Sequence, residues 1–507
     1  MTMIAGTDPR TGDALPPVAA STTADQVDAL ARAADDAAAA FAALSRDTRA
    51  EILDQIADEV ERRRAELIET ASRETGFGEA KLGGELTRTA FQFRFFADVL
   101  REGSYLEATI DPAAETPMGP RPDLRRILTS IGAVAVFGAS NFPFAFSVLG
   151  GDTASSLAAG SPVIVKAHGS HPATSQLSYE ILKSVLDASA APDGVIGIVF
   201  GTQGGARLVA HPAIKAVGFT GSLSGGKALL DIIGGREEPI PFYGELSSLN
   251  PVIVTPGAAS ERGAEIGTGL VTSFTVGSGQ LCTKPGFVLV PIGDAGDRLI
   301  ESARDALAAA KGHVLLNERI FTTYTEETSA LDDRADLRAL KAPGDSGTGF
   351  AVTPMLFETT LDELDHTIVH EVFGPVAVIA RYNPEKTQEA AAQVFDTFPS
   401  SLTATLHVTD DESTLVAALT TLAATRAGRI VFDGFPTGVA VSWAQTHGGP
   451  WPSTNSLHTS VGATAIRRFV RPITYQNAPE AVLPEELRDS YTGIPRRIDG
   501  ELRGAVR

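Results

Sequence analysis

The chain has 507 residues and a single cysteine, Cys282. One thiol cannot close a disulfide within its own chain, so no oxidising compartment is implied. No apolar run approaches the roughly 20 residues of a membrane helix. The first residues, MTMIAGTDPRTGDALPP, have no basic stretch ahead of an apolar one. Neither a membrane span nor a signal peptide is therefore expected, and the cytoplasm is the expected location. Positive charge is also short: 42 Lys and Arg face 62 Asp and Glu, for a net charge of -20. Nucleic acid and anionic membranes both demand a basic face, so neither is an expected partner. No internal repeat is present, and no low-complexity tract beyond an Ala-rich helix near 35–43.

What remains is ordinary globular composition, 43% hydrophobic and 21% charged, which excludes a disordered chain. Thr23 and Gln26 make a capping-box pattern ahead of Val27, Leu30, Ala34, Phe41 and Leu44. A second helix carries Ile52, Ile56, Val60 and Leu67, and a third, LTRTAFQFRFFADVLREGS, sets Arg94 among phenylalanines. From Ile131 the pattern changes. GAVAVFGAS, SPVIVKAH, VIGIVFG and AIKAVGFTGS are short Val/Ile-rich runs alternating with helical stretches. That alternation means buried parallel strands with helical crossovers, a doubly wound α/β sheet. It restarts after about Leu246 and runs to GRIVFDG, which gives a second α/β domain. The Pro- and Arg-rich end reads as an extended arm.

Several residues could carry chemistry, and each has an ordinary alternative. Cys282, in GQLCTKPG, is either a nucleophile or a small buried hydrophobe. Gly221, Ser222 and Gly226, in GFTGSLSGGK, stand where a strand gives way to a helix. There they cradle a phosphate or simply make a packed turn. Lys166 closes SPVIVK, as a ribose ligand or a surface lysine. Asn141, in FGASNFPFAF, is an oxyanion donor or a turn residue. Glu245, in GELSSLNP, and Glu371, in HEVFGP, sit in apolar settings that raise a carboxylate's pKa toward that of a usable base. Salt-bridged or capping glutamates are the plainer reading.

Taken in order, FGASNFPFAF, SPVIVKAH, GFTGSLSGGK, GELSSLNP, GQLCTKPG and HEVFGP resemble the aldehyde dehydrogenase superfamily motif by motif, over essentially the whole chain. The resemblance implies an aldehyde dehydrogenase-like α/β fold: two doubly wound domains plus a small β bridging and oligomerisation arm. Residues 1–122 and 139–246 would form the dinucleotide-binding domain and 247–440 the catalytic thiol domain. Residues 123–138 and 464–490 would be bridging elements, and 491–507 a C-terminal tail. A homodimer or homotetramer is implied.

The resemblance also implies roles. Cys282 would attack a small-molecule aldehyde, Asn141 would bind the oxyanion, and Glu245 would activate water to hydrolyse a thioester. Glu371 and Phe373 would hold the nicotinamide ribose, Lys166 the adenosine ribose, and Gly221, Ser222 and Gly226 the pyrophosphate. No metal is implied. Relatives that prefer NAD often carry a glutamate where this chain has Gly169. NADP is therefore expected, with NAD tolerated, and Arg207, Thr174 and His168 are candidate phosphate partners. The wording of 139–168 and 434–477 is similar to the α-ketoglutaric semialdehyde (2,5-dioxopentanoate) dehydrogenases, with the NADP-dependent fatty aldehyde type as the alternative. Arg94 is the candidate partner for a distal carboxylate, and Phe142, Phe144 and Trp443 are expected to line the pocket. Trp443 and the region 311–335 depart from the relatives. A cysteine hydrolase is the rival chemistry, though no histidine partner for Cys282 is evident in the sequence.

Overall fold

In the computed structural model, which describes residues 2–344, 347–365, 368, 370–436 and 438–505, the capping box is realised. Gln26 N donates to Thr23 Oγ1, and the Gln26 side chain accepts from Thr23 N. The helix Ala24–Ala42 buries Val27, Ala31, Ala34 and Phe41. The expected second helix is two: Arg46–Arg62 holds Ile52, Ile56 and Val60, the chain leaves helical geometry at Arg63, and Leu67 belongs to Arg64–Thr75. The third, Glu79–Glu102, runs longer than its motif and buries Phe93, Phe95 and Phe96.

The first α/β unit is a five-stranded parallel sheet. Its order is Phe242–Glu245, Ala216–Thr220, Val134–Phe137, Val163–Lys166, Ile196–Val199. The chain lays down three strands in one direction, then returns to add two beside the first. The reversal falls between Val134–Phe137 and Ala216–Thr220, where the loops after the two strands splay apart. A ligand crevice at the carboxyl ends is built in at that point. Val134–Phe137 is the middle strand of this sheet. It had been expected among the bridging elements, but its all-buried side chains need cover on both faces.

The second unit is a seven-stranded sheet in the order Arg338–Lys341, Met355–Thr360, Val376–Tyr382, Phe287–Pro291, Pro251–Val254, Ser401–His407, Ala427–Phe432. Only Arg338–Lys341 runs antiparallel to its neighbour. Residues 246–250 join the two sheets, so the carboxyl end of one faces the amino end of the other. A third sheet lies apart, in the order Val470–Gln476, Leu124–Ser130, Thr109–Asp111, Arg496–Ile498, Glu501–Arg503. The expected tail is thus part of a sheet: Arg496–Ile498 pairs parallel with Thr109–Asp111 and folds back on Glu501–Arg503. Residues 506–507 of that tail lie outside the described residues. No helix among the described residues is long and apolar enough to cross a membrane.

Candidate active site

After the helix Pro256–Thr275 the chain turns through Gly277, Ser278 and Gly279, whose φ values are 61°, 59° and 66°. Gly279 admits no side chain, because a Cβ there would stand 2.2 Å from the Gly374 carbonyl oxygen. This turn delivers Cys282 to the front of the strand Phe287–Pro291. Asn250 fixes it: Nδ2 donates to the carbonyls of Cys282 at 2.8 Å and Lys284 at 3.0 Å.

Glu245 ends its strand fully buried, and the chain beyond Ala427–Phe432 brings His447 against it. His447 Nε2 lies 2.8 Å from Glu245 Oε1 and 3.5 Å from Cys282 Sγ. Ser460 Oγ donates to Glu245 Oε2 at 3.0 Å. Cysteine, histidine and glutamate offer ligating or proton-carrying atoms all within 4.8 Å of one another. The histidine partner that is not evident in the sequence is His447. His447 sits in an irregular loop, THGGP, where no periodicity marks it. The signal available was that it is one of only nine histidines.

Asn141 lines the same space, its Nδ2 donating to the Gln280 carbonyl at 2.7 Å. Its loop is pinned from the helix Glu79–Glu102. Glu85 Oε1 accepts from the amides of Phe144 at 2.8 Å and Ala145 at 3.0 Å, and Lys81 Nζ donates to the Asn141 carbonyl at 3.1 Å.

Protonation follows from these contacts. Burial, and then the Glu245 carboxylate, push the Cys282 thiol well above its ordinary value. Burial alone would also raise Glu245. The charge and hydrogen bond of His447 and the hydroxyl of Ser460 outweigh it, and the Glu245 carboxyl is held low. The expected upward shift is thus corrected for Glu245, because the setting is polar where it counts. It holds for Glu371, where burial outweighs the Ser247 hydroxyl and Lys284. Lys284 is itself lowered by burial to about 8, its Nζ donating to the carbonyls of Val372 and Val376.

A cavity of about 330 Å³ opens from the thiol to the sheet reversal. It gathers Asn141, Gly221, Ser222, Glu245, Cys282, Glu371 and Phe373. Ser222 caps the helix Leu223–Gly234, accepting from Gly225 N at 3.2 Å, so the helix's free amides face the cavity. Gly226 lies beneath, where a Cβ would meet Leu246 Cδ2 at 2.4 Å. Ser247 Oγ donates to Glu371 Oε2 at 2.6 Å. A helix N-terminus for phosphates and a carboxylate for ribose hydroxyls fit a dinucleotide. Arg319 lines the cavity as well, from the unusual region 311–335; it is exposed and has no ion pair among the described residues. Lys166 stands just outside it, at its strand end, with burial lowering its affinity for a proton.

Of the other expected residues His168 also lines this cavity, while Arg94, Phe142, Phe144, Trp443, Arg207 and Thr174 stand outside its lining. Arg94 is half exposed and pairs with Asp58 at 2.6 Å, on the side of its helix away from the thiol. Phe144 is wholly buried in the core. Phe142 packs on Phe146, with ring centres 5.3 Å apart. Trp443 is 51% exposed and sits edge-on to Phe95. Of the phosphate candidates, Arg207 is paired with Asp28 and Thr174 is bonded to buried Glu74. His168 is a partly exposed ring on the cavity wall, stacked on His171, and desolvation lowers its proton affinity well below the ordinary value.

A thiol, a carboxylate and an amide donor gathered at the reversal of a parallel α/β sheet fit an oxidoreductase that takes a nicotinamide coenzyme. Residues 2–471 match the aldehyde dehydrogenase family, and the chain belongs to it. It is 44% identical over 492 residues to alpha-ketoglutaric semialdehyde dehydrogenase 2 of Azospirillum brasilense, covering 96% of this chain and 92% of that protein. It is 39% identical over 486 residues to alpha-ketoglutaric semialdehyde dehydrogenase of Acinetobacter baylyi, covering 95% and 92%. Among solved structures, aldehyde dehydrogenase 21 of Physcomitrella patens, in complex with the reaction product succinate, superposes with a TM-score of 0.80. Its sequence identity is 20%, over 94% of this chain and 95% of that one. The protein is an aldehyde-oxidising enzyme.

Proposed function

We propose that the chain oxidises α-ketoglutaric semialdehyde (2,5-dioxopentanoate) to 2-oxoglutarate with NADP, NAD being tolerated, in the cytoplasm. The observation that carries the chemistry is His447 Nε2 set between the Cys282 thiol and the Glu245 carboxylate. The substrate rests on the two relatives of that name, at 44% and 39% identity.

Cys282 Sγ attacks the aldehyde carbon as its proton passes to His447, leaving Glu245 ionised. The oxyanion of the thiohemiacetal accepts from the second N–H of Asn141 and from the amide of Cys282. The nicotinamide, when bound, supplies the hydride acceptor. Glu245, held ionised, then takes a proton from the water that opens the thioester, and the thiol is released with 2-oxoglutarate. Glu371 and Phe373 hold the nicotinamide ribose. Gly221, Ser222 and Gly226 form the pyrophosphate turn, and Lys166 binds the adenosine ribose. NADP is supported by the open space at Gly169, where no carboxylate stands, and by Arg319 on the cavity wall, which has no ion pair among the described residues. Phe142 and Trp443 bound the aldehyde's approach. The strand Val470–Gln476 joins subunits into a dimer or tetramer.

Initial rates with NADP and NAD, on 2,5-dioxopentanoate and decanal side by side, test this reading. The keto-acid semialdehyde should be preferred by orders of magnitude. Preference for decanal would replace it with a fatty aldehyde enzyme.

A further inference from the structure

The helix Glu79–Glu102 turns one polar stripe toward the site: Lys81, Glu85, Arg88 and Gln92, spaced by four, three and four residues. Lys81 and Glu85 are spent on the Asn141 loop. Arg88 is not. Its guanidinium lies 4.9 Å from the centre of the Phe146 ring, Phe146 packs on His447 at 6.2 Å, and His447 meets the thiol. One aromatic ring therefore separates Arg88 from the catalytic histidine. Glu85, one turn earlier, acts on it electrostatically, and so, more weakly, do Cys282 and Glu245.

Its commitments are weak. Nε donates to the Val439 carbonyl at 3.4 Å and Nη1 to Gln92 Oε1 at 3.5 Å. Nη2 is buried without a hydrogen bond among the described residues, and so is Gln92 Nε2. Arg88 has no ion pair among the described residues either. A guanidinium drawn out of water without a carboxylate is costly unless its partner arrives from outside. Arg429, the other cation on which the thiol acts, is different, for its fork is taken by the carbonyls of Gly438 at 2.7 Å and Pro436 at 3.1 Å.

Resting on the substrate reading above, we propose that Arg88, with Gln92 Nε2 beside it, binds the distal carboxylate of the semialdehyde. It thereby sets the preference for acidic over plain aldehydes. The aldehyde end reaches Cys282 past Phe146, while the carboxylate stays on the guanidinium.

The test compares wild type, Arg88→Gln and Arg88→Lys on 2,5-dioxopentanoate and pentanal, with KM and kcat separated. Losing a charged hydrogen-bond partner costs about tenfold to a hundredfold in affinity. Arg88→Gln should raise KM for the keto acid by that factor, with a much smaller change in kcat. The ratio of kcat/KM between the two substrates should fall accordingly, and Arg88→Lys should restore part of it. If wild type prefers the keto acid and the ratio is unchanged in Arg88→Gln, the Arg88 assignment is overturned while the substrate stands. If wild type shows no such preference, both are overturned. Should Arg88→Gln fail to fold, Arg88→Lys carries the test, because it keeps the charge and loses the fork. An unchanged ratio there overturns the assignment.

Discussion

His447 decides what Glu245 can do. A buried carboxylate left to itself would hold its proton near neutrality; beside His447 and Ser460 it is ionised, ready to accept one. The same carboxylate raises the barrier to ionising Cys282, which rests as a thiol. Alkylation of Cys282 by iodoacetamide, without coenzyme, should therefore be slow at pH 7 and quicken with pH beyond the ordinary thiol range. Glu245→Gln removes a charge that holds the thiol up, so its alkylation at pH 7 should be faster than wild type even though turnover is lost. The sign decides the matter. A slower reaction in Glu245→Gln would mean that Glu245 deprotonates the resting thiol.

The helix Glu79–Glu102 is the element on which the site hangs, because Glu85 accepts two backbone amides from the loop that carries Asn141. Glu85→Ala leaves both amides buried and unpaired, at a cost of about 2–4 kcal/mol in stability by urea denaturation. Loss of the oxyanion donor's position should lower kcat by about 10²–10³ as well. A variant of wild-type kcat would show that Asn141 is held without it. The helix also shows what the sequence makes legible. The alternation of Val/Ile runs with helices is visible in the letters, and both sheets lie where it places them. The ordered motifs bring Cys282, Glu245, Asn141 and Glu371 to one cavity. Helical phase is harder to read. Arg94 and Arg88 both stand near phenylalanines, and only the packed structure tells which side faces the thiol. His447 and Ser460 come from loops without period, so nothing local announces them. Arg63, which divides two helices, is as good a helix former as its neighbours.

At the scale of the molecule, the third sheet has one edge made by Val470–Gln476, paired among the described residues only on its Leu124–Ser130 side. Open edges invite another strand. Light scattering at micromolar concentration should read two or four times 53.0 kDa, and a reading of 53.0 kDa alone would sink the proposed assembly. The scarcity of cysteine also belongs to this scale. Because Cys282 is the only cysteine, peroxide that turns it to a sulfenic acid meets no second thiol in the chain to trap it as a disulfide. Rescue must come from a small external thiol, reaching in through the coenzyme cavity; otherwise the sulfur proceeds to the irreversible sulfinate. A bound dinucleotide would then shield the thiol from its oxidant and from its repair alike, making coenzyme supply the measure of how long each molecule survives oxidative stress.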